Sequence, residues 1–139
     1  MRQGAITLSI ESEVQNVYLI GLAINRIASS IPVGSQSAFE MELAVLEVVN
    51  NAIEHAHNYQ RNKQVIVRLK LHSDRIQFTI IDRGPRFDLA AALAASLRLE
   101  QGDQPERGRG LMIVQKVMDE VRYERKGAAN HITLTKFLK

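Results

Sequence analysis

Glu47 and Asn51 stand four positions apart in a stretch of helical periodicity, so both project from one helix face about one turn apart. A carboxylate there can accept a proton from an attacking hydroxyl or water. A carboxamide can offer a neutral oxygen to Mg²⁺ without repelling phosphate. Further on, Asp82-Arg83-Gly84 closes an apolar run, and Arg107-Gly108-Arg109-Gly110 precedes Leu111-Met112-Ile113-Val114. An acid at a strand end can accept a hydrogen bond from the 6-amino group of adenine, and would face an acceptor on guanine. Gly84 would let the backbone approach the base closely. Gly108 and Gly110, opening a helix, can present backbone N–H groups to phosphates, with Arg107 and Arg109 adding positive charge. Together these groups suit a nucleotide held with Mg²⁺.

Taken singly, each has a plainer reading: a solvated helix face, a turn favoured by Asp and Gly, a flexible loop. The helix argues against the first of these. Glu40, Glu47, Asn51, Glu54, His55 and Asn58 share one face, yet Ser35 to Asn58 contains no Lys or Arg, unlike an ordinary solvated face. The glycine loop is not a P-loop, since no Gly-Lys-Ser/Thr follows. The eukaryotic protein-kinase set, with Asp-Phe-Gly and His-Arg-Asp, is also absent.

The elements that must position these groups follow from periodicity. Residues 4–10 alternate, with Ile6, Leu8 and Ile10 on one side, and predict a strand. Ser12 with Gln15 forms a capping-box signal for a helix running to about Ser29. Ser37 with Glu40 forms a second, and that helix should reach about Asn58. Val65, Val67, Leu69 and Leu71, then Ile76, Phe78 and Ile80, predict an antiparallel hairpin across His72–Arg75. Residues 89–99 read as a helix, 100–110 as a loop and Leu111–Met118 as a helix. Strands at 120–126 and 131–137 should turn at Gly127-Ala128-Ala129-Asn130.

With 139 residues and 45% apolar content, the chain should form a single domain, 1–139, around a real core. It has no cysteine, so no disulfide or cysteine-held zinc supports it, which fits a cytoplasmic location. Apolar runs are interrupted by charges, and no signal-peptide segment opens the chain; no membrane association is expected. The net charge of +3 raises nucleic acid as a partner, but basic residues are scattered among acids and only 5% of residues are aromatic. Direct nucleic-acid binding is therefore not expected.

At these residues the sequence resembles the GHKL, or Bergerat-fold, ATPases, and within them the anti-sigma-factor serine-protein kinases of bacterial partner switching. Glu47 to Ala56 resembles their N box, Ile81 to Asp88 their first glycine box, and Arg107 to Val114 with Met118-Asp119-Glu120-Val121 their second. The resemblance covers essentially the whole chain. It implies an α+β two-layer sandwich, with a mixed, mostly antiparallel sheet covered on one face by helices. It further implies ATP and Mg²⁺ as cofactors, Glu47 as general base and Asn51 as Mg²⁺ ligand. Nucleotide contacts would come from Asn51, His55, Asp82, Gly84, Arg107, Gly108, Arg109, Gly110, Leu111 and Thr133, with residues 86–107 as a lid over ATP. The implied activity is phosphorylation of a serine on a STAS-domain anti-anti-sigma protein, in competition with sequestration of a sigma factor or other regulator. A homodimer is a further implication. The sequence departs from the family at Pro85-Arg86, where a second glycine is common, on the N-terminal side of the second glycine box, which has few glycines, and at Ala129-Asn130, where Gly-Thr is usual. Two alternatives stay open at this point. One is a nucleotide-dependent binding and sequestering module without kinase turnover. The other is a histidine-kinase catalytic domain cut from a longer protein, disfavoured because no upstream helix carries a phosphoacceptor histidine.

Overall fold

The computed structural model describes residues 3–58, 60, 62–100 and 109–138, without the side chains of 96–100, 109 and 110. In chain order the elements are β1 (Gly4–Glu11), α1 (Val17–Ser29), α2 (Ser35–Asn51), β2 (Gln64–Leu71), β3 (Arg75–Asp82), α3 (Leu89–Glu100), α4 (Arg109–Val117), β4 (Glu120–Lys126) and β5 (Ala129–Phe137). The strands form one sheet in the order β1-β2-β3-β5-β4. Every pairing is antiparallel, so the mixed sheet that the resemblance implies has no parallel pair among the described residues. The α+β sandwich itself is as expected.

The pleat sorts the side chains. Val67, Ile80 and Ile132 lie in register across three strands, as do Leu69, Phe78 and Leu134 beside them. This face meets Ile20 and Ile24 of α1, Met41, Val45 and Val49 of α2, and Val114 of α4 in one core. Burying a side chain such as Phe78 or Ile80 contributes about 1.5–3 kcal/mol, so the alternating strand pattern holds the helices on this side. The opposite face carries polar side chains in register, Arg68, Thr79, Thr133 and Arg122. α2 packs between α1 and α4. Gly21 of α1 permits that approach, since a Cβ there would lie 3.2 Å from Leu46 Cδ1 and Glu42 Oε2. No helix among the described residues is long and apolar enough to cross a membrane.

Both helix starts differ from the capping boxes that the sequence suggests. Val14–Asn16 forms a 3₁₀ turn ahead of α1, and neither start has a side-chain cap. Ser12 is instead fully buried, with its Oγ 3.0 Å from His57 Nδ1. A tertiary partner took the hydroxyl that would have capped the helix. α2 begins at Ser35, with Gly34 at φ +83° as its N-cap residue, so Ser37 lies inside the helix. Glu40 accepts from Gln36 Nε2 at 2.9 Å, an i, i+4 pair on the helix surface.

The long second helix also changes character. After Asn51 it passes into a π-helical turn, Ala52–Ala56, and the His57 N–H donates to the Ala52 carbonyl at 2.8 Å. Such turns inside helices mark functional sites often enough to direct attention there. At the other end of the fold, β4 and β5 join through Gly127-Ala128, with Lys126 paired to Ala129. Gly127 takes φ +58°, which this two-residue connection needs. The turn is therefore shorter than the sequence suggests, and Asn130 belongs to β5.

Candidate functional site

Glu47, Asn51 and His55 line one wall of a cavity of about 370 Å³ between α2, α4 and the end of the sheet. That volume lies within the range of small-molecule pockets. The i, i+4, i+8 spacing follows one stripe of the helix. Glu54 and Asn58, expected on the same face, are exposed and do not line the cavity, because the π turn changes the helical phase after Asn51. His55 sits at the rim, with its Nε2 3.5 Å from Glu54 Oε2 and both side chains about half exposed. Glu47 is partly buried. Desolvation, and then the nearby charge of Glu54, push its carboxyl above the ordinary 4.5. A carboxylate tuned upward toward neutrality is the better proton acceptor.

Asp82 closes β3 and lies 6% exposed on the cavity floor. Its Oδ1 accepts from the Gly84 N–H at 2.8 Å and from Asn130 Nδ2 at 2.8 Å. Oδ2 receives no hydrogen bond from the described residues, so one oxygen is fixed by the protein and the other is available to a ligand donor. Gly84 itself does not line the cavity; it seats the turn against the π turn. A Cβ on it would fall 2.6 Å from both Ala56 Cα and Ala56 O, so only glycine fits.

Asn130 is a cavity-lining residue that sequence reasoning missed. Besides holding Asp82, its Nδ2 donates to the Pro85 carbonyl at 2.7 Å. Its Oδ1 accepts from Tyr123 Oη at 2.6 Å and from Arg125 Nη1 at 2.9 Å. Arg125 Nη1 also donates to the Gly84 carbonyl at 2.7 Å. Three side chains of the last hairpin thus clamp the turn after β3. The one signal in the sequence was the departure from Gly-Thr at Ala129-Asn130. The partners lie 48 residues away, beyond the reach of any local spacing rule.

The remaining walls are apolar: Leu89, Leu111, Val114 and Ile132, with Phe87 and the stem of Arg86 at the edge. Phe87 packs edge-on against Tyr123 with ring centroids 6.2 Å apart, and its N–H donates to Tyr123 Oη at 3.2 Å. The first residues of the expected lid are therefore anchored to β4, and 89–100 are helical. The rest of the lid, 101–107, lies outside the described residues. So do Arg107 and Gly108 of the phosphate loop. Arg109 and Gly110 form the first turn of α4, whose third residue, Leu111, lines the cavity.

Thr133 is a described candidate that the fold carries to the other face of the sheet. It pairs with Thr79, Oγ1 to Oγ1 at 3.1 Å, on the sheet face opposite the helices. Strand alternation decides this: Asn130 and Ile132 face the cavity, and an odd number of steps points the other way.

The donor set can be compared with Mg²⁺ directly. Among the described residues no group of three or more carboxylates and histidines could hold a metal ion by itself. One Asn51 oxygen, completed by phosphates and water, is what Mg²⁺ accepts beside a nucleotide.

The chain is similar to proteins of known kind. The serine-protein kinase RsbW of Bacillus velezensis is 28% identical over 137 residues, covering 96% of this chain and 85% of that protein. RsbW of Bacillus subtilis is 27% identical over 137 residues, with the same shares. Among solved structures, the RsbU and RsbW domains of Rv1364c from Mycobacterium tuberculosis superpose with a TM-score of 0.65 at 15% identity. That match covers 96% of this chain and 32% of the other. The mycobacterial sensor histidine kinase MprB gives 0.56 at 19% identity, covering 95% and 97%. At such identities the structures speak for the fold alone. The family model for the histidine kinase-like ATPase domain matches residues 10–136, and the chain belongs to that family.

Proposed function

We propose that this chain is an ATP-dependent protein-serine kinase that phosphorylates a STAS-domain anti-anti-sigma protein and sequesters a sigma factor or other regulator. The observation that carries the reading is Glu47, one turn before Asn51, with its proton affinity raised, in the same cavity as Asp82. Asp82 Oδ2 would accept the adenine amine, with Oδ1 held by Gly84 and Asn130. His55, Leu111 and the first turn of α4, with Arg109 and Gly110, complete the nucleotide contacts. Arg107 and Gly108 are assigned to the phosphate loop by the resemblance. Asn51 would hold Mg²⁺, which when bound neutralises phosphate charge.

In this reading Glu47 takes the proton of a substrate serine hydroxyl as its oxygen attacks the γ-phosphorus. The bond from that phosphorus to the bridging oxygen breaks, and ADP leaves. The reading is supported by the likeness to proteins named serine-protein kinase RsbW. The cavity has room for a nucleotide but not for a folded domain, so the protein substrate would dock across the rim.

Two exposed apolar features support a homodimer as well. Tyr18 and Leu22 stand one turn apart on α1, with Val14 in the 3₁₀ turn ahead of it, each more than half exposed. β1 is an edge strand whose only charge is Glu11. Such edges are usually protected by charge or by a partner.

The experiment is incubation with Mg²⁺-ATP and the cognate STAS protein, followed by detection of phosphoserine. Replacement of Glu47 by Ala is expected to lower transfer by about 10²–10⁴-fold while ATP still binds. A binder without turnover would regulate its partners equally well in both forms and would yield no phosphoserine, refuting the kinase reading.

A further inference from the structure

His57 is 1% exposed, does not line the cavity, and has no part in the chemistry proposed above. It nevertheless touches three elements. It ends the π turn that follows Asn51. Its Nδ1 lies 3.0 Å from Ser12 Oγ, in the link between β1 and α1. Its Nε2 accepts the backbone N–H of Arg83 at 3.0 Å.

The last bond fixes the tautomer. The Arg83 N–H is a donor, so Nε2 must be the bare nitrogen, and Nδ1 carries the proton and donates to Ser12 Oγ. Burial acts in the same direction, since it favours the neutral ring. The charged groups near it are Asp82 on β3 and Lys63 ahead of β2.

The Arg83 N–H needs this partner. The pairing of β3 with β5 ends at Asp82 opposite Asn130. The next N–H falls beyond the ladder and is partly buried, so a partner supplied by the protein fixes its direction. The amide after it, at Gly84, is matched by Asp82 Oδ1. The carbonyls of Gly84 and Pro85 are matched by Arg125 and Asn130. His57 therefore supplies the helix-side anchor of a turn that is otherwise held by Asp82 at its own start and by Arg125 and Asn130 of the β4–β5 hairpin.

We propose that His57 is a positioning residue for base recognition: its neutral imidazole spans Ser12 and the Arg83 amide, and thereby sets where Asp82 presents its free oxygen. The proposal rests on the nucleotide reading above. It requires an acceptor at the Nε2 position. Glutamine can place a carbonyl oxygen there; phenylalanine fills the space without one.

The test is calorimetric binding of ATP and of inorganic tripolyphosphate, with Mg²⁺, to the wild-type chain, His57→Phe and His57→Gln. His57→Phe should weaken ATP about tenfold, the scale of one lost hydrogen bond, and leave tripolyphosphate unchanged. His57→Gln should restore ATP affinity to within about threefold of wild type. In the wild type, imidazole ¹⁵N shifts should report a single tautomer protonated at Nδ1. Equal ATP affinity in folded His57→Phe and wild type would overturn the proposal, as would an Nε2-protonated ring. Should His57→Phe not fold, Ser12→Ala decides, because it leaves the ring in place. The Arg83 N–H still requires a bare Nε2, so the tautomer should persist while the Nδ1–H resonance moves on losing its acceptor and ATP weakens severalfold; unchanged ring shifts with unchanged affinity would overturn the proposal. Failure of the wild type itself to bind ATP would defeat the nucleotide reading, and this inference with it.

Discussion

Replacing Asn130 separates a designed clamp from an incidental contact, because two substitutions there should rank in an order that side-chain size alone would reverse. Asn130→Ala removes five hydrogen bonds: donations to Asp82 Oδ1, the Pro85 carbonyl and, at 3.4 Å, the Gly84 carbonyl, and acceptances from Tyr123 Oη and Arg125 Nη1. Arg125 keeps the Gly84 carbonyl, and Asp82 Oδ1 keeps the Gly84 N–H, so neither charge is stranded. At about 1 kcal/mol for each neutral bond and somewhat more for each charged one, and with water recovering part at the exposed edge, the loss should be about 3 kcal/mol. That is a large share of a typical folding free energy of about 5–15 kcal/mol. Asn130→Asp is nearly isosteric and keeps the acceptor for Tyr123 and Arg125. It nevertheless turns an oxygen toward Asp82 Oδ1, the Pro85 carbonyl and the Gly84 carbonyl, three acceptors within 3.4 Å. Like charges at such a distance disfavour ionisation of both, so the aspartate variant should be the less stable at pH 7. Urea unfolding of both variants, with ATP calorimetry, checks this. Both should bind ATP more weakly by about tenfold or more, because Asp82 loses one of its two fixed contacts. If the aspartate variant is as stable as wild type, or if alanine costs under about 1 kcal/mol, the clamp has been misread.

Gly84→Ala should cost several kcal/mol or shift the turn visibly, since its Cβ would meet the Ala56 backbone at 2.6 Å; a melting temperature within a degree of wild type would contradict the packing. Glu47→Gln should raise the melting temperature at pH 7.5 while abolishing transfer. The folded-state carboxyl is held above 4.5, so its favourable contribution is complete below that pH and is lost as pH rises through the raised value. The advantage of glutamine should therefore vanish near pH 4, and a constant difference from pH 4 to 8 would refute the assignment. Leu22→Asp, on the exposed face of α1, should leave the fold intact and abolish the proposed homodimer in sedimentation analysis; a monomeric wild type, or a dimer unchanged in the variant, would refute that interface.

What could be read from the sequence, and what could not, divides along the range of the interactions involved. The strands were legible because alternation at Val65, Val67 and Leu69, and at Ile76, Phe78 and Ile80, has one physical cause, burial of one face. That Glu47, Asn51 and Asp82 could line one cavity was legible because a helix turn and a strand end constrain them locally. The misreadings involve polar side chains whose partner is distant in sequence. Ser12 looked like a cap because Ser beside a helix start usually has no better acceptor or donor than the backbone. Here a buried imidazole 45 positions away offers one, and burial of the pair makes that partner obligatory. Asn130 looked like a turn residue for the same reason, and Thr133 looked like a ligand because sequence order does not reveal the face to which a strand residue points until the register is known. The π turn at Ala52–Ala56 left no signal in the hydrophobic pattern at all. Yet it brings His57 under Arg83 and Ala56 against Gly84, joining the helix that carries Glu47 and Asn51 to the turn that carries Asp82. The two walls of the cavity are thus held in register partly by His57 and Gly84, which do not line it, and these long-range contacts are the part of the arrangement that spacing rules cannot reach.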